Sequence, residues 1–162
     1  MINTKMPVKD RFDATLSVSL PVAYLFPNIL GVDSVLSRLR MHGIVVEQVT
    51  EAATVGAELF AIDSLIKGAA PFQGHSEVRL EGRWLPVPQL KLAAASYVVR
   101  TTQPLSVLAA LLLEPQSDDG LATWNFFDAE LTPRMADADA AKHIFPVSRL
   151  TTALTAPTRI IP

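Results

Sequence analysis

Residues 105–113 form an apolar run that constrains the fold more than any other part of this chain. Every residue of the run except Ser106 is Leu, Val or Ala, and Glu114 and Pro115 follow it directly. A membrane-spanning helix needs about 20 apolar residues, so this run is too short to cross a bilayer. Pro104 fits a first helical turn, and Pro115 ends the helix because it lacks an N–H. The pattern predicts a helix that is buried on every side.

The segment that follows, residues 114–128, combines turn formers, acids and large aromatic side chains. Ser117 or Asp118 can cap a second helix, and acidic side chains near its first turn would interact favourably with the helix dipole. Apolar residues recur there at helical spacing, which predicts a shared buried face: Leu121, Trp124 and Phe127. We therefore expect Trp124 and Phe127 in the core beside the preceding helix.

The composition restricts the classes of protein to which the chain can belong. At 162 residues and 49% hydrophobic content, it is long enough for one domain with a substantial core. The formal net charge is −2 and Lys and Arg are scattered, which argues against nucleic-acid binding through phosphate contacts. The absence of Cys excludes disulfides, Cys-ligated metals and a thiol nucleophile. Residues 1–13 do not resemble a signal peptide, so no export signal is predicted and the compartment stays open.

Three regions are predicted along the chain. Residues 1–14 read as an N-terminal extension, residues 15–150 as a single domain, and residues 151–162 as a flexible tail. The tail is predicted because the Thr, Ala and Pro residues after Leu150 show no periodicity.

The first part of the domain predicts a strand–helix–strand unit. Residues 15–26, in which apolar residues alternate, predict a strand that enters the core, with a break or an edge position at Pro21. Residues 32–39 predict an amphipathic helix that is capped by Asp33 and ends at Gly43, and residues 44–49 predict the second strand. The unit spans about 25 residues, a length at which a parallel crossover becomes possible.

The rest of the domain is rich in strand signals. Runs of β-branched and aromatic residues predict further strands, several of them antiparallel neighbours: residues 58–66, 77–80, 83–87, 96–101 and 145–150. Residues 134–142 fit either a solvated helix or a loose loop. The predicted fold class is α+β, with mixed α/β as the alternative, built on a single central, largely antiparallel or mixed sheet with covering helices.

Several short fragments carry a likeness to a known family. In chain order they are Pro-Val-Ala-Tyr-Leu-Phe-Pro at residues 21–27, His42-Gly43, residues 71–75, Gln103-Pro104, residues 112–128, and Phe-Pro-Val-Ser-Arg-Leu at residues 145–150. In this order and spacing, the fragments resemble the C-terminal, non-catalytic region of bacterial proteins in the carboxypeptidase-A-like zinc metallopeptidase family. The resemblance covers roughly residues 21–150.

The resemblance implies an accessory domain that stabilises a peptidase catalytic domain, docks on it or shapes access to its cleft. The family's peptidase domain holds zinc with a His-x-x-Glu pair and a distant His. None of the three histidines here, His42, His75 and His143, is followed by Glu three residues later. No catalytic or metal-binding residue is therefore carried over, and we expect no peptidase activity from this chain in isolation. Zinc is expected only in the catalytic domain, and no cofactor is expected in the chain itself.

His75 and Glu77 are the first candidates for a ligand-binding role. Residues two apart on a strand point the same way, so an imidazole and a carboxylate could form half of a metal site beside Gly74. A zinc site needs three or four ligands, and no third ligand is evident. The simpler interpretation is a hydrogen-bonded loop histidine.

Asp118, Asp119 and Phe126 are the remaining candidates. The two acids, with Glu114, form a cluster near Trp124 that is compatible with acid–base chemistry or a sugar platform, but helix capping also explains them. Phe126 lies between two predicted core residues and could be exposed as a docking side chain.

Three functions follow from these patterns. The first is the accessory domain described above, whose partner is a peptidase catalytic domain or another protein. The second is a free-standing protein- or peptide-binding module. The third is a cryptic hydrolase that uses His75 and Glu77 with Asp118 and Asp119, which requires these groups to converge in space. Association into a homo-oligomer is compatible with the first two, and none of the three involves nucleic acid or a membrane span.

Overall fold

The structure is a computed structural model that describes residues 17–162, so the predicted N-terminal extension lies outside the described residues. The strands are β1 (Ala23–Phe26), β2 (Glu47–Val49), β3 (Ala53–Lys67), β4 (Val78–Leu92), β5 (Tyr97–Arg100), β6 (Ile144–Leu150) and β7 (Thr158–Ile160). The helices are α1 (Val32–Met41), α2 (Ser106–Leu113) and α3 (Asp128–Ala136), and a short 3₁₀ turn covers Ala140–Lys142. The strands form one antiparallel sheet in the order β4-β3-β6-β1-β5-β2-β7, which confirms the α+β class.

The strand–helix–strand unit is present, although its strands are not neighbours. Both β1 and β2 pair antiparallel with β5, so they run parallel to each other with β5 between them. Helix α1 makes the crossover and buries Val35 and Leu39, which confirms the predicted helix. The predicted cap is wrong, because Gly31 precedes the helix at φ 81 and no side chain caps it, while Asp33 lies in the first turn.

The longest elements are β3 and β4, each of 15 residues, which pair as one hairpin. The sequence predicted two separate strands at 77–80 and 83–87, and that break at Gly82 is wrong. A Cβ at Gly82 would lie 2.1 Å from the carbonyl oxygen of Ala61. The glycine therefore permits close approach of two paired strands and does not make a turn.

The strand predicted at residues 145–150 is present as β6, and it lies in the middle of the sheet between β3 and β1. It is not the last strand of the chain, because β7 follows it. It contains Pro146, which cannot donate to a neighbouring strand. The pairing between β3 and β6 shifts register between Leu59 and Ala61, which is where the missing donor falls.

Residues 151–162 were predicted to be a flexible tail, and the structure corrects this prediction. Strand β7 pairs with β2 at the edge of the sheet, and Thr50 donates its backbone N–H to the Pro157 carbonyl at 3.0 Å. Leu154 is buried at 6% exposure. The lack of sequence periodicity did not reveal this pairing, because a three-residue edge strand is too short to show any.

Two buried clusters occupy opposite faces of the sheet. Side chains alternate along each strand, so Tyr24 and Phe26 contribute to one cluster and Ala23 and Leu25 to the other. The larger cluster also contains apolar residues of α1, α2 and α3. The smaller one is completed by residues at the ends of β3 and β4 and by Leu154.

Helix α2 was predicted to be buried on every side, and this is wrong. Val107 is 72% exposed and Leu111 is 46% exposed, whereas Ala109 and Leu113 are fully buried. Helix α2 therefore carries more apolar side chains than the fold of this chain buries. Among the described helices, none combines the length and the apolar character that crossing a membrane requires.

The burial of Leu154 generates a stability prediction. We expect Leu154→Ala to lower the free energy of unfolding by about 2–4 kcal/mol, because it removes a large side chain from a packed cluster. Ile160→Ala, at a residue that is 70% exposed in the edge strand, should change it by less than about 0.5 kcal/mol. Urea unfolding followed by circular dichroism measures both, and equal effects would mean that the segment does not pack as described.

Candidate functional site

The segment from Gly120 to Phe127 is a series of turns, and the predicted helix through it is wrong. Asn125 has φ 68, a left-handed conformation that interrupts any helix. Its side-chain amide donates to the Ser76 carbonyl at 2.9 Å, which ties the segment to the loop before β4. Helix α3 begins only at Asp128. We call residues 120–127 the aromatic loop.

The turn at Asn125 separates the two aromatic side chains that were expected in the core. Phe127 is 1% exposed and its ring lies 5.1 Å from that of Phe145, so its predicted burial is confirmed. Trp124 is only partly buried. Its indole contacts the ring of His75, edge to face at 5.7 Å, and that of Phe72 at 6.3 Å. Trp124 therefore belongs to the surface of the loop.

A groove lies between α1, α2 and the aromatic loop, with a volume of about 450 Å³. Its apolar lining comes mainly from Leu108, Leu111, Leu121 and Phe126. Polar and aromatic side chains stand at its rim: Arg38, His42, Gln73, His75, Asp119 and Trp124. We call this the α1–α2 groove. Its size falls in the range of ordinary ligand pockets, about 300–1,000 Å³.

Three contacts organise the rim of the groove. The Trp124 Nε1–H donates to the Asp119 carboxylate at 2.5 Å, and the guanidinium carbon of Arg38 lies 5.1 Å from the centre of the Phe126 ring. The second distance is within the range of a cation–π contact. The backbone of His75 pairs with that of Phe72 in both directions, at 2.8 and 2.9 Å. The rim is therefore held by local contacts of the loops that carry it.

The structure divides the predicted site residues between two places. His75, Asp119 and Phe126 line the α1–α2 groove. Glu77 and Asp118 line a separate cavity of about 420 Å³ beside the β3–β4 hairpin. His75 and Glu77 do not share a strand face, because β4 begins only at Val78. Asp118 and Asp119 likewise face different cavities, as adjacent residues on a turn often do.

The predicted helix caps are wrong, and the described residues do not assemble a metal site. The carboxylate of Asp119 accepts from the Trp124 indole, and neither Ser117 nor Asp118 caps a helix. Within residues 17–162, no three His, Asp or Glu side chains come together in a way that could hold a metal ion.

Glu114 has a role that the sequence did not reveal. It was grouped with the surface acids, but it is 6% exposed and both of its carboxylate oxygens accept hydrogen bonds. Tyr24 donates its hydroxyl to Oε1 at 2.7 Å, and Arg149 donates its Nε–H to the same oxygen at 2.8 Å and a second N–H to Oε2. The Arg149 guanidinium also stacks on the Trp84 ring at 3.9 Å.

This buried network is structural in character. Glu114 is paired with a guanidinium and accepts three hydrogen bonds within the fold, two at Oε1 and one at Oε2. Burial raises the pKa of the Tyr24 hydroxyl well above its ordinary value of 10.0, and the hydrogen bond to Glu114 raises it further. One sequence signal could have indicated the network, namely an acid placed directly after a helix that is apolar except for Ser106.

Comparisons of the chain with known protein families, with curated proteins and with solved structures find no match. Since fold alone does not imply function, the geometry of the surface and the groove must carry the functional argument.

The raised pKa of Tyr24 gives a prediction about alkaline pH. Tyr24→Phe should lower the free energy of unfolding by about 1–3 kcal/mol near pH 8, because Glu114 loses a buried donor. The difference from wild type should shrink as the pH rises above 10. There the unfolded tyrosine ionises while the folded one keeps its proton, so the wild type loses stability that the variant cannot lose. Urea unfolding at pH 8 to 11 tests this, and parallel pH curves would contradict it.

The different burial of the two loop aromatics gives a second prediction. Phe127→Ala should cost about 3–5 kcal/mol of unfolding free energy as a fully buried large-to-small change. Trp124→Ala should cost only about 1–2 kcal/mol, because its indole is already partly in water. Chemical unfolding of the two variants side by side gives the order, and a larger loss for Trp124→Ala would contradict the described geometry.

Proposed function

We propose that this chain is a non-catalytic accessory domain that docks on the catalytic domain of a carboxypeptidase-A-like zinc peptidase. The observation that carries the proposal is a set of exposed apolar side chains at the junction of α1 and α2, which we call the ridge. Its members are large apolar side chains that are 36–73% exposed: Met41, Val45, Leu105, Val107 and Leu111.

The end of α1 and the start of α2 are joined where several members of the ridge lie. The side chain of Gln103 accepts from the Val45 backbone N–H at 2.8 Å and donates to the Val45 carbonyl at 3.1 Å. A Cβ at Gly43 would lie 3.5 Å from the Leu105 side chain, so the end of α1 touches the start of α2. Val107 and Leu111 then continue the ridge along α2 at positions one turn apart.

Exposure of such a ridge to water is energetically unfavourable. Burial of a Val or Leu side chain contributes about 1.5–3 kcal/mol, so coverage of several of them by a partner gives a substantial driving force. Contiguous exposed apolar surface of this kind is typical of protein–protein contacts. The class of partner comes from the resemblance of the sequence fragments, and zinc binding and hydrolysis would belong to that partner.

The alternatives receive different support from the same surface. A free-standing binding module would also use the ridge and the α1–α2 groove, and it differs from the first proposal only in the identity of the partner. The cryptic hydrolase requires His75, Glu77, Asp118 and Asp119 to converge, and their division between two cavities favours it least.

The docking role predicts the effect of a charge on the ridge. Val107→Asp should weaken association with a carboxypeptidase-A-like catalytic domain from the same genome by at least about tenfold, because a carboxylate would have to be desolvated at the contact. Ile66→Asp is the matched control, since Ile66 is 47% exposed on the β3–β4 hairpin and lies outside the ridge. Size-exclusion chromatography with light scattering and titration calorimetry measure the association. If the wild-type chain does not bind the catalytic domain, the proposal is contradicted.

A further inference from the structure

We infer that the α1–α2 groove binds an extended peptide segment in which an apolar side chain is flanked by carboxylates. The inference goes beyond the docking role and does not depend on it, because it concerns a short peptide and not a folded catalytic domain. The groove shares Leu111 with the ridge, but its other lining residues lie outside the ridge.

The apolar part of the ligand follows from the lining of the groove. Leu108, Leu111, Leu121 and Phe126 surround a volume of about 450 Å³, which is large enough for a leucine or phenylalanine side chain and its neighbouring backbone. Leu121 is buried at 2% exposure, whereas Leu111 is 46% exposed. The groove therefore has a closed floor and an open side along which a chain can pass.

The carboxylates follow from the balance of donors and acceptors at the rim. Asp119 is the one carboxylate among the groove's described lining residues, and it already accepts from the Trp124 indole. The guanidinium of Arg38 is held over Phe126 and takes part in no ion pair among residues 17–162. His42 and His75 add further ring nitrogens. The rim thus offers donors that a ligand with carboxylates would satisfy, and Arg38 is the one Arg or Lys among the groove's described lining residues.

The experiment uses Trp124 as its reporter. Trp84 and Trp124 are the two tryptophans of the chain, so Trp84→Phe leaves the groove indole as the single tryptophan. This variant is titrated with an acetylated, amidated peptide of the sequence Gly-Glu-Leu-Phe-Glu-Gly. Two matched peptides replace both glutamates by glutamine or by lysine. We expect a saturable change in fluorescence with the glutamate peptide, at least about tenfold weaker binding of the glutamine peptide, and weaker binding still of the lysine peptide.

Variants at Arg38 separate the charge from the shape of the groove. Arg38→Gln should remove most of the preference for glutamate over glutamine, and Arg38→Lys should retain most of it. Arg40→Gln is the matched control, because Arg40 is exposed on the same helix and does not line the groove. Leu111→Asp should abolish binding of all three peptides. Circular dichroism checks that each variant is folded.

Three results would overturn the inference. They are the absence of saturable binding at millimolar peptide, equal binding of the glutamate and glutamine peptides, and a preference for glutamate that survives Arg38→Gln. A Trp124 signal that changes with protein concentration alone would assign the groove to a second copy of this chain instead. Failure of the peptide titration leaves the docking role intact, since that role is measured on the ridge with Val107→Asp.

Discussion

The buried hydrogen-bonded pair of Glu114 and Arg149 is the interaction on which the helical side of the molecule depends. Glu114 directly follows α2, and Arg149 lies in β6 opposite Tyr24 of β1, which also donates to the carboxylate. A buried carboxylate without its partner would cost several kcal/mol, so the end of α2 has one favourable position on the sheet. Apart from Ser106 in its first turn, helix α2 consists of Leu, Val and Ala, so its own sequence does little to select which face is buried.

The position of α2 determines where apolar side chains stay exposed on the surface. With Ala109 and Leu113 directed into the core, Val107 and Leu111 are exposed, and the end of α1 and the residues after it add the exposed Met41 and Val45. The ridge is therefore a consequence of how α2 is anchored. The groove depends on a different feature, the left-handed turn at Asn125. This turn directs Phe127 inwards and leaves Trp124 at the surface. Functional side chains on loops that a rigid scaffold positions are a common arrangement.

The two proposed binding surfaces make different demands on a partner. The ridge consists of exposed apolar side chains and is proposed to meet a folded domain. The groove has Arg38 and Asp119 at its rim and is proposed to take a peptide segment. Their meeting at Leu111 allows one protein to use both, with a folded body on the ridge and an acidic segment in the groove. The resemblance of the sequence suggests the class of partner, and the structure suggests where the contacts would be made.

The sequence by itself determined the elements whose signals are local. The period of Val32, Val35, Leu36 and Leu39 predicted α1, the apolar run predicted α2, and runs of β-branched residues predicted most of the sheet, because periodicity and turn chemistry act over a few residues. Only the tertiary structure decided what depends on distant residues. Tyr24 and Glu114 are 90 positions apart, β7 pairs with a strand from the first third of the chain, and the groove is lined from α1, the loop before β4, α2 and the aromatic loop. No local pattern encodes such contacts, since each exists only when the sheet has brought both partners together.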